Sequence, residues 1–341
     1  MRLSALATPL IIAALGTHAL AAERCGTPSS LLASRFEVGE QPSSVTLPPD
    51  ATPLSVTIAS PSNNSTVGVS AIIAYGTYTG PANSGIVAAD VPALIDGNAF
   101  VSPRIRLSPG ANTIQFRFGT LDGVTTTVSR VVNYDPAMAP AVSIQAAGPG
   151  DYAPVRMPFS LSTRFPAGQN QITRVQVDYQ DDGSFEVDAS QPVKLEHAYS
   201  VAGFFTVRAR VTFDDGDNGT GPIIVDDTTR VLIQSLAFTR ETLCRVYYGM
   251  KHRLQAGNIP QALNTLAPSL RPRFEQFWGQ LQQSNLLSTV AGRLGEIADG
   301  QLTRSTAELI VAMPGNTSGQ FNAYRLVFRK DKDGVWRIAI M

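Results

Sequence analysis

Two-residue periodicity constrains this chain more than any other feature. Phe205, Val207, Ala209, Val211 and Phe213 alternate with Thr206, Arg208, Arg210 and Thr212. Successive side chains of a strand point to opposite faces, so this pattern specifies a half-buried β-strand. Val175, Val177 and Tyr179 repeat it, which assigns Gln176, Asp178 and Gln180 to the water face. After Gln234 the period changes. Leu243, Val246, Tyr247, Met250 and Leu254 recur at steps of three and four, the apolar stripe of a helix.

Short β-prone runs between Leu54 and Tyr134 alternate with clusters of Gly, Asn and Asp, the signature of a β-sandwich. The order S-P-S-N-N-S-T-V, A-Y-G-T-Y, D-G-N-A-F and L-S-P-G-A-N-T-I (Leu107 to Ile114) resembles the bacterial immunoglobulin-like repeats of exported proteins. From Pro140 to Gln234, V-D-Y-Q-D-D-G-S-F-E and H-A-Y-S-V-A-G-F-F-T-V-R-A-R-V resemble a PKD domain, also a β-sandwich. Val177 stands where that family favours Trp, and Gln180 and Asp181 alter its acidic turn, which weakens any metal inference from the resemblance.

The final segment predicts three helices: one ending at Gly257-Asn258, one opened by Pro260, and one from about Pro272 that carries Phe274, Phe277, Trp278, Leu281 and Leu286. The runs T-A-E-L-I-V-A-M, F-N-A-Y-R-L-V-F and V-W-R-I-A-I-M then read as strands, with K-D-K-D-G as the last turn. Helices followed by a curved antiparallel sheet form an α+β arrangement. L-Q-A-G-N-I-P-Q-A-L-N-T-L-A-P and D-G-V-W-R-I-A-I-M resemble the NTF2-like, or cystatin-like, fold, which implies a cone able to hold a ligand. The expected organisation is a signal peptide over 1–21, a linker or N-terminal arm over 22–53, an Ig-like sandwich over 54–136, a PKD-like sandwich over 137–235 and an NTF2-like α+β domain over 236–341.

The signal-peptide reading rests on Arg2, an apolar run interrupted by Ser4, Thr8 and Pro9, and Ala19-Leu20-Ala21 as a small-residue cleavage site. The run falls short of the roughly 20 residues that span a bilayer, so the mature chain is expected to carry no transmembrane segment. Periplasm or cell surface of a bacterium is the expected location. The whole chain has 27 basic and 27 acidic side chains, and losing Arg2 leaves 26 against 27. A near-neutral chain without a basic cluster is a poor partner for nucleic acid. Two cysteines, Cys25 and Cys244, form an even pair that an oxidising compartment favours as a disulfide.

The acids of Val175 to Glu186 admit three readings: a calcium loop, paired catalytic carboxylates, or a hairpin turn. An EF-hand loop started at Asp178 would have Gln180 at its third position and Ala189 at its twelfth, so it is not that motif. D-D-G is a strong turn signal. Asp178 and Asp182, with Asp214, Asp215 and Asp217 of the second acidic cluster, are retained as a weak calcium candidate. Cys244, Tyr248 and His252, spaced at i, i+4 and i+8, are read as one helix face, but Cys244 and His252 are roughly 12 Å apart along the axis, too far for a thiol and its base. His197 is expected to hydrogen-bond across the second sandwich. Tyr247, Phe277, Trp278, Asp299, Glu308, Tyr324 and Arg325 are the residues to inspect for a pocket in the cone.

No P-loop, nucleophile elbow or zinc cluster is present. The expectation is therefore a non-enzymatic modular interaction protein that binds an envelope protein or polysaccharide. The alternative is a small-ligand-binding or enzymatic C-terminal domain carried on two sandwich spacers. A cone filled by Trp278, Phe277 and Leu326 favours the first; an open one with Asp299, Glu308 or Arg325 pointing inward favours the second. The sequence is silent on oligomeric state.

Overall fold

The computed structural model describes residues 27–28, 35–37 and 52–341, apart from 168, 170, 215–220 and 316–319. The described residues form mostly β-sandwich-like sheets, with the α-helices in the C-terminal part. None of these helices is long and apolar enough to cross a membrane.

In the first sandwich a four-stranded sheet (Ser55–Ser60, Tyr75–Thr79, Ala99–Val101, Leu94–Asp96) faces a five-stranded one (Ser65–Val67, Thr125–Tyr134, Gly110–Thr120, Ser84–Ala88, Val91–Pro92). Phe100 from one sheet and Ile86, Phe116 and Phe118 from the other meet in a single core. The L-S-P-G-A-N segment turns because Gly110 takes a φ of 91°, a conformation that costs glycine little. Asn112 then locks the turn: its side chain accepts from the Ser108 N–H (2.9 Å) and donates to the Ser108 and Gly110 carbonyls.

The second sandwich sets Val142–Ala146, Val155–Thr163 and Leu195–Tyr199 against Val187–Ala189, Ile172–Asp178, Gly203–Phe213 and Ile223–Ile233. Val207, Ala209, Val211 and Phe213 are fully buried, as their alternation requires. The opposite face departs from expectation, because Gln176 and Asp178 are buried too. Arg174 and Asp188 form a salt bridge on that face, and Gln176 donates to Asp188 (3.2 Å), while Asp178 is drawn into the following turn.

The alternating pattern stops at Ile233, and α1 (Leu236–Gln255) begins three residues later, capped by the Ser235 hydroxyl, which accepts from the Phe238 N–H. Three further helices follow: α2 (Ile259–Asn264), α3 (Arg271–Gln283) and α4 (Leu287–Arg293). The expected third helix is thus two, broken where Asn285 adopts a φ of 57°. Six strands form the C-terminal sheet in the order Thr27–Pro28, Arg35–Glu37, Glu296–Leu302, Thr306–Pro314, Phe321–Lys330, Trp336–Ile340. Part of the segment read as a linker therefore pairs with this sheet: Phe36 lies opposite Gly300, closing an edge that would otherwise expose unpaired backbone groups. The other edge is closed from within, since Ala267 N–H donates to the Ile338 carbonyl and Ile338 N–H to the Thr265 carbonyl.

The packing units also bond directly to one another. The Asn83 side-chain amide of the first sandwich mimics a strand against Trp336, donating to its carbonyl (2.9 Å) and accepting from its N–H (3.0 Å). Gly85 lies so close to the Asp333 carbonyl that a Cβ there would come within 1.9 Å of the oxygen. Between the sandwiches, Gln234 donates to the Ile95 carbonyl, and Arg230 lies over the rings of Tyr75 and Phe204. Tyr152 and Asp151 of the second sandwich reach Thr239 and Arg304. These contacts tie both sandwiches to the C-terminal segment and to each other.

Candidate functional site: a cleft beside α1

The residues proposed for the cone do not converge on a cavity. Trp278 (3% exposed) packs against Phe274 with ring centroids 5.2 Å apart, and Leu326 (1%) joins the same core, so side chains fill the space between α3 and the sheet. Phe274 and Trp278 are one turn apart on α3, and Phe277 falls outside that stripe at 46% exposure. Glu308 and Arg325 form a salt bridge of 2.6 Å on the outer face of the sheet. Alternation decides this: Leu309 and Leu326, their sequence neighbours, point inward. Asp299 lies opposite Ile310 on the same outer face and accepts from the Gly300 N–H. Tyr324 is half exposed, opposite Val311 in the sheet, and Tyr247 is buried, donating to the Gly295 carbonyl (2.8 Å).

The acidic turn has a structural occupation. Asp178, 1% exposed, accepts four backbone N–H groups, from Gln180, Asp181 and Asp182 on one oxygen and Gly183 on the other. N–H groups converging on a carboxylate hold an anion and repel a cation, so Asp178 is a turn organiser and an unsuitable calcium ligand. Asp182 accepts from the Ser184 N–H, and Asp181 pairs with Arg208. Asp214 begins the second cluster with its N–H bonded to the Gln171 carbonyl; Asp215 and Asp217 lie outside the described residues. Among the described residues no group of three His, Cys, Asp or Glu could hold a metal. His197 stacks on Tyr179 (4.6 Å, 23°) and meets the edge of Tyr199, a ring contact where a hydrogen bond was expected.

Cys244 and Tyr248 are buried, but His252 is exposed. An α-helix advances about 100° per residue, so eight residues overshoot two turns by roughly 80°, and His252 leaves the face of the other two. Cys25 lies outside the described residues.

Sequence reasoning missed Lys251. It is 8% exposed, and its Nζ donates to the Leu294 carbonyl (2.7 Å), the Gly295 carbonyl (3.2 Å) and Glu296 (2.7 Å). It also sits over the rings of Tyr247 and Tyr248. Burial, helped by Glu296, pushes both phenols well above the usual tyrosine range. All three ammonium donors are satisfied, so the cluster ties α1 to the start of the sheet and holds no free base. The available signal was its place directly after Met250, within the apolar stripe.

The open space is elsewhere. A cavity of about 410 Å³ lies between the first sandwich and the side of α1 that carries Arg245, Gly249, His252 and Arg253. Those positions recur at three and four residues, and thus share one face. The loop around Pro81 and the turn around Asp122 make the facing wall, and Asn258 and Gln261 of the α1–α2 corner close one end. A second space, bounded by Tyr78, Phe238 and Arg245, adjoins it at Arg245. Arg253 is committed, donating to the Gln261 carbonyl (3.0 Å) and to Asp122 (3.3 Å). Among the described residues Arg245 pairs with Glu241 (2.7 Å) on its own helix, an exposed contact, and the His252 side chain makes no hydrogen bond. Among the described residues no carboxylate is bonded to that imidazole, and Asp122, the acid of the cleft lining, is paired with Arg253.

No family model matches the chain, and no curated protein matches it. Solved structures that are similar include the fibronectin(III)-like modules of Clostridium thermocellum CbhA, at 14% identity over 53% of this chain and 95% of that one, with a TM-score of 0.20. Another is dimeric latent PorU from Porphyromonas gingivalis, at 12% identity over 54% of this chain and 20% of that one, with a TM-score of 0.26. The chain thus corresponds to about a fifth of PorU, and likeness at these levels places it in no family.

Proposed function

We propose that the protein is an exported, non-enzymatic interaction protein of the bacterial envelope that binds a protein or polysaccharide there. In this reading a bacterial Ig-like sandwich, a PKD-like sandwich and an NTF2-like unit hold a binding surface in fixed geometry. One observation carries it: Trp278, Phe274 and Leu326 pack into one core where the enzymatic alternative needs an open pocket, while a cleft of about 410 Å³ lies between α1 and the first sandwich. The test immobilises the chain without residues 1–21, exposes it to envelope extract, and assays peptide, ester and glycoside substrates in parallel. Retention of a component that elutes with its mass unchanged, with no turnover, is the expected result. Turnover abolished by Asp299→Asn or Glu308→Gln would defeat the proposal.

The same reading includes a Cys25–Cys244 disulfide. Thr27–Pro28, two residues beyond Cys25, lies against α1, the helix that carries the buried Cys244. Peptide mapping without reduction should recover the linked pair; two alkylatable thiols would refute it.

A further inference from the structure

Gly249 lies in the middle of α1, where glycine costs about 1 kcal/mol relative to alanine, and nothing stands within 4 Å of where its Cβ would be. Close packing therefore does not explain it. Its position does: it is a gap in the cleft-lining stripe, with Arg245 one turn before it and His252 just under one turn after it. Arg245 is half exposed, and its partner Glu241 is more exposed still. An exposed i,i+4 pair of this kind contributes only about 0.3–0.5 kcal/mol, so a ligand carboxylate can replace Glu241 at little cost. The nearby acid Asp122 is already neutralised by Arg253.

Resting on the interaction-protein reading, we propose that this cleft binds an acidic peptide segment of a partner, with one carboxylate seated over Gly249 between the Arg245 guanidinium and the His252 imidazole. Both side chains donate hydrogen bonds to an anion, and charge-assisted bonds of this kind are the strong ones. Gln261 and Asn258 at the closed end suit the backbone amides of an extended chain. The apolar lining is aliphatic, with Pro53, Leu54, Ala82, Leu121 and Val124, and it offers no aromatic platform for sugar rings. A peptide is therefore favoured over an acidic polysaccharide. The volume of about 410 Å³ accommodates a few residues.

The probe is fluorescein-labelled hexaglutamate, read by anisotropy against the chain without residues 1–21, with hexalysine and an oligogalacturonate as comparison ligands. Saturable hexaglutamate binding is expected, weakened about tenfold or more by Arg245→Gln and by Gly249→Phe, which fills the gap. Arg325→Gln, which removes one positive charge from the outer face of the C-terminal sheet, should leave it unchanged. Melting curves of each variant separate lost binding from lost fold, and Arg245 is exposed enough for its variant to fold normally. Absence of hexaglutamate binding at 1 mM, equal binding by folded Gly249→Phe, or binding of the oligogalacturonate alone overturns the inference. Detected turnover with intact hexaglutamate binding would instead defeat the non-enzymatic reading and leave this site standing.

Discussion

Gly85→Ala is expected to undock the first sandwich from the C-terminal sheet. The added methyl would fall 1.9 Å from the Asp333 carbonyl oxygen and 2.7 Å from Gly334 C and Val335 N, all of them backbone atoms. That turn cannot yield cheaply. Arg337, 6% exposed, grips Asp333 through both guanidinium nitrogens (2.8 and 2.7 Å) and Asp331 through one (3.0 Å), and the Asp331 N–H is bonded to the Val335 carbonyl. The sandwich must retreat, and the Asn83–Trp336 pair opens with it. Overpacking against rigid neighbours costs about 1–3 kcal/mol, and the two stranded backbone groups of Trp336 raise the total to about 3–4 kcal/mol. Calorimetry should show a lowered or split transition, and hydrogen exchange should show faster exchange at the Trp336 amide. Asn83→Ala should give a smaller part of the same effect, about 1–3 kcal/mol. An unchanged melting curve and unchanged Trp336 protection in Gly85→Ala would show that these units do not dock in this way.

Lys251→Met should produce the other large effect, this time inside the C-terminal unit. The substitution keeps the aliphatic length but removes all three donors, leaving the buried Leu294 and Gly295 carbonyls short of a partner. Gly295 still receives the Tyr247 hydroxyl, and Glu296, 43% exposed, can turn to water. The cost is therefore set by the carbonyls and by the lost cation contacts to two tyrosine rings, about 2–4 kcal/mol. A fall in melting temperature on the order of 10 °C is expected, against almost none for exposed Lys332→Ala. A wild-type melting temperature in Lys251→Met would remove this lysine from the framework of the fold.

Both effects arise where local sequence gives little warning. Gly85 follows Gly80-Pro81-Ala82-Asn83-Ser84, which marks a local turn, but its role depends on another turn some 250 positions later. Asn83 and Trp336 meet across the same distance. Lys251 escaped notice because periodicity records spacing and carries no record of what packs against each face. Glu308 and Asp299, whose inward placement would have favoured the alternative reading, lie on the outer face for a related reason. Alternation says that they oppose Leu309 and Gly300, but only the helices decide which side becomes the interior. His252 misled through arithmetic, since steps of four drift around a helix.

The sequence by itself determined where period two yields to period 3.6, the burial of Val207, Ala209, Val211 and Phe213, the D-D-G turn and the Gly257 helix stop. These are properties of a residue and its near neighbours, governed by steric limits on φ and ψ and by strand and helix repeats. Tertiary structure alone decided that Trp278 and Leu326 share one core between α3 and the sheet, that part of the N-terminal arm joins the C-terminal sheet, and that a cleft of about 410 Å³ lies beside α1. Each of these depends on contacts between segments far apart in the chain, whose free energy comes from complementary surfaces that no local window contains.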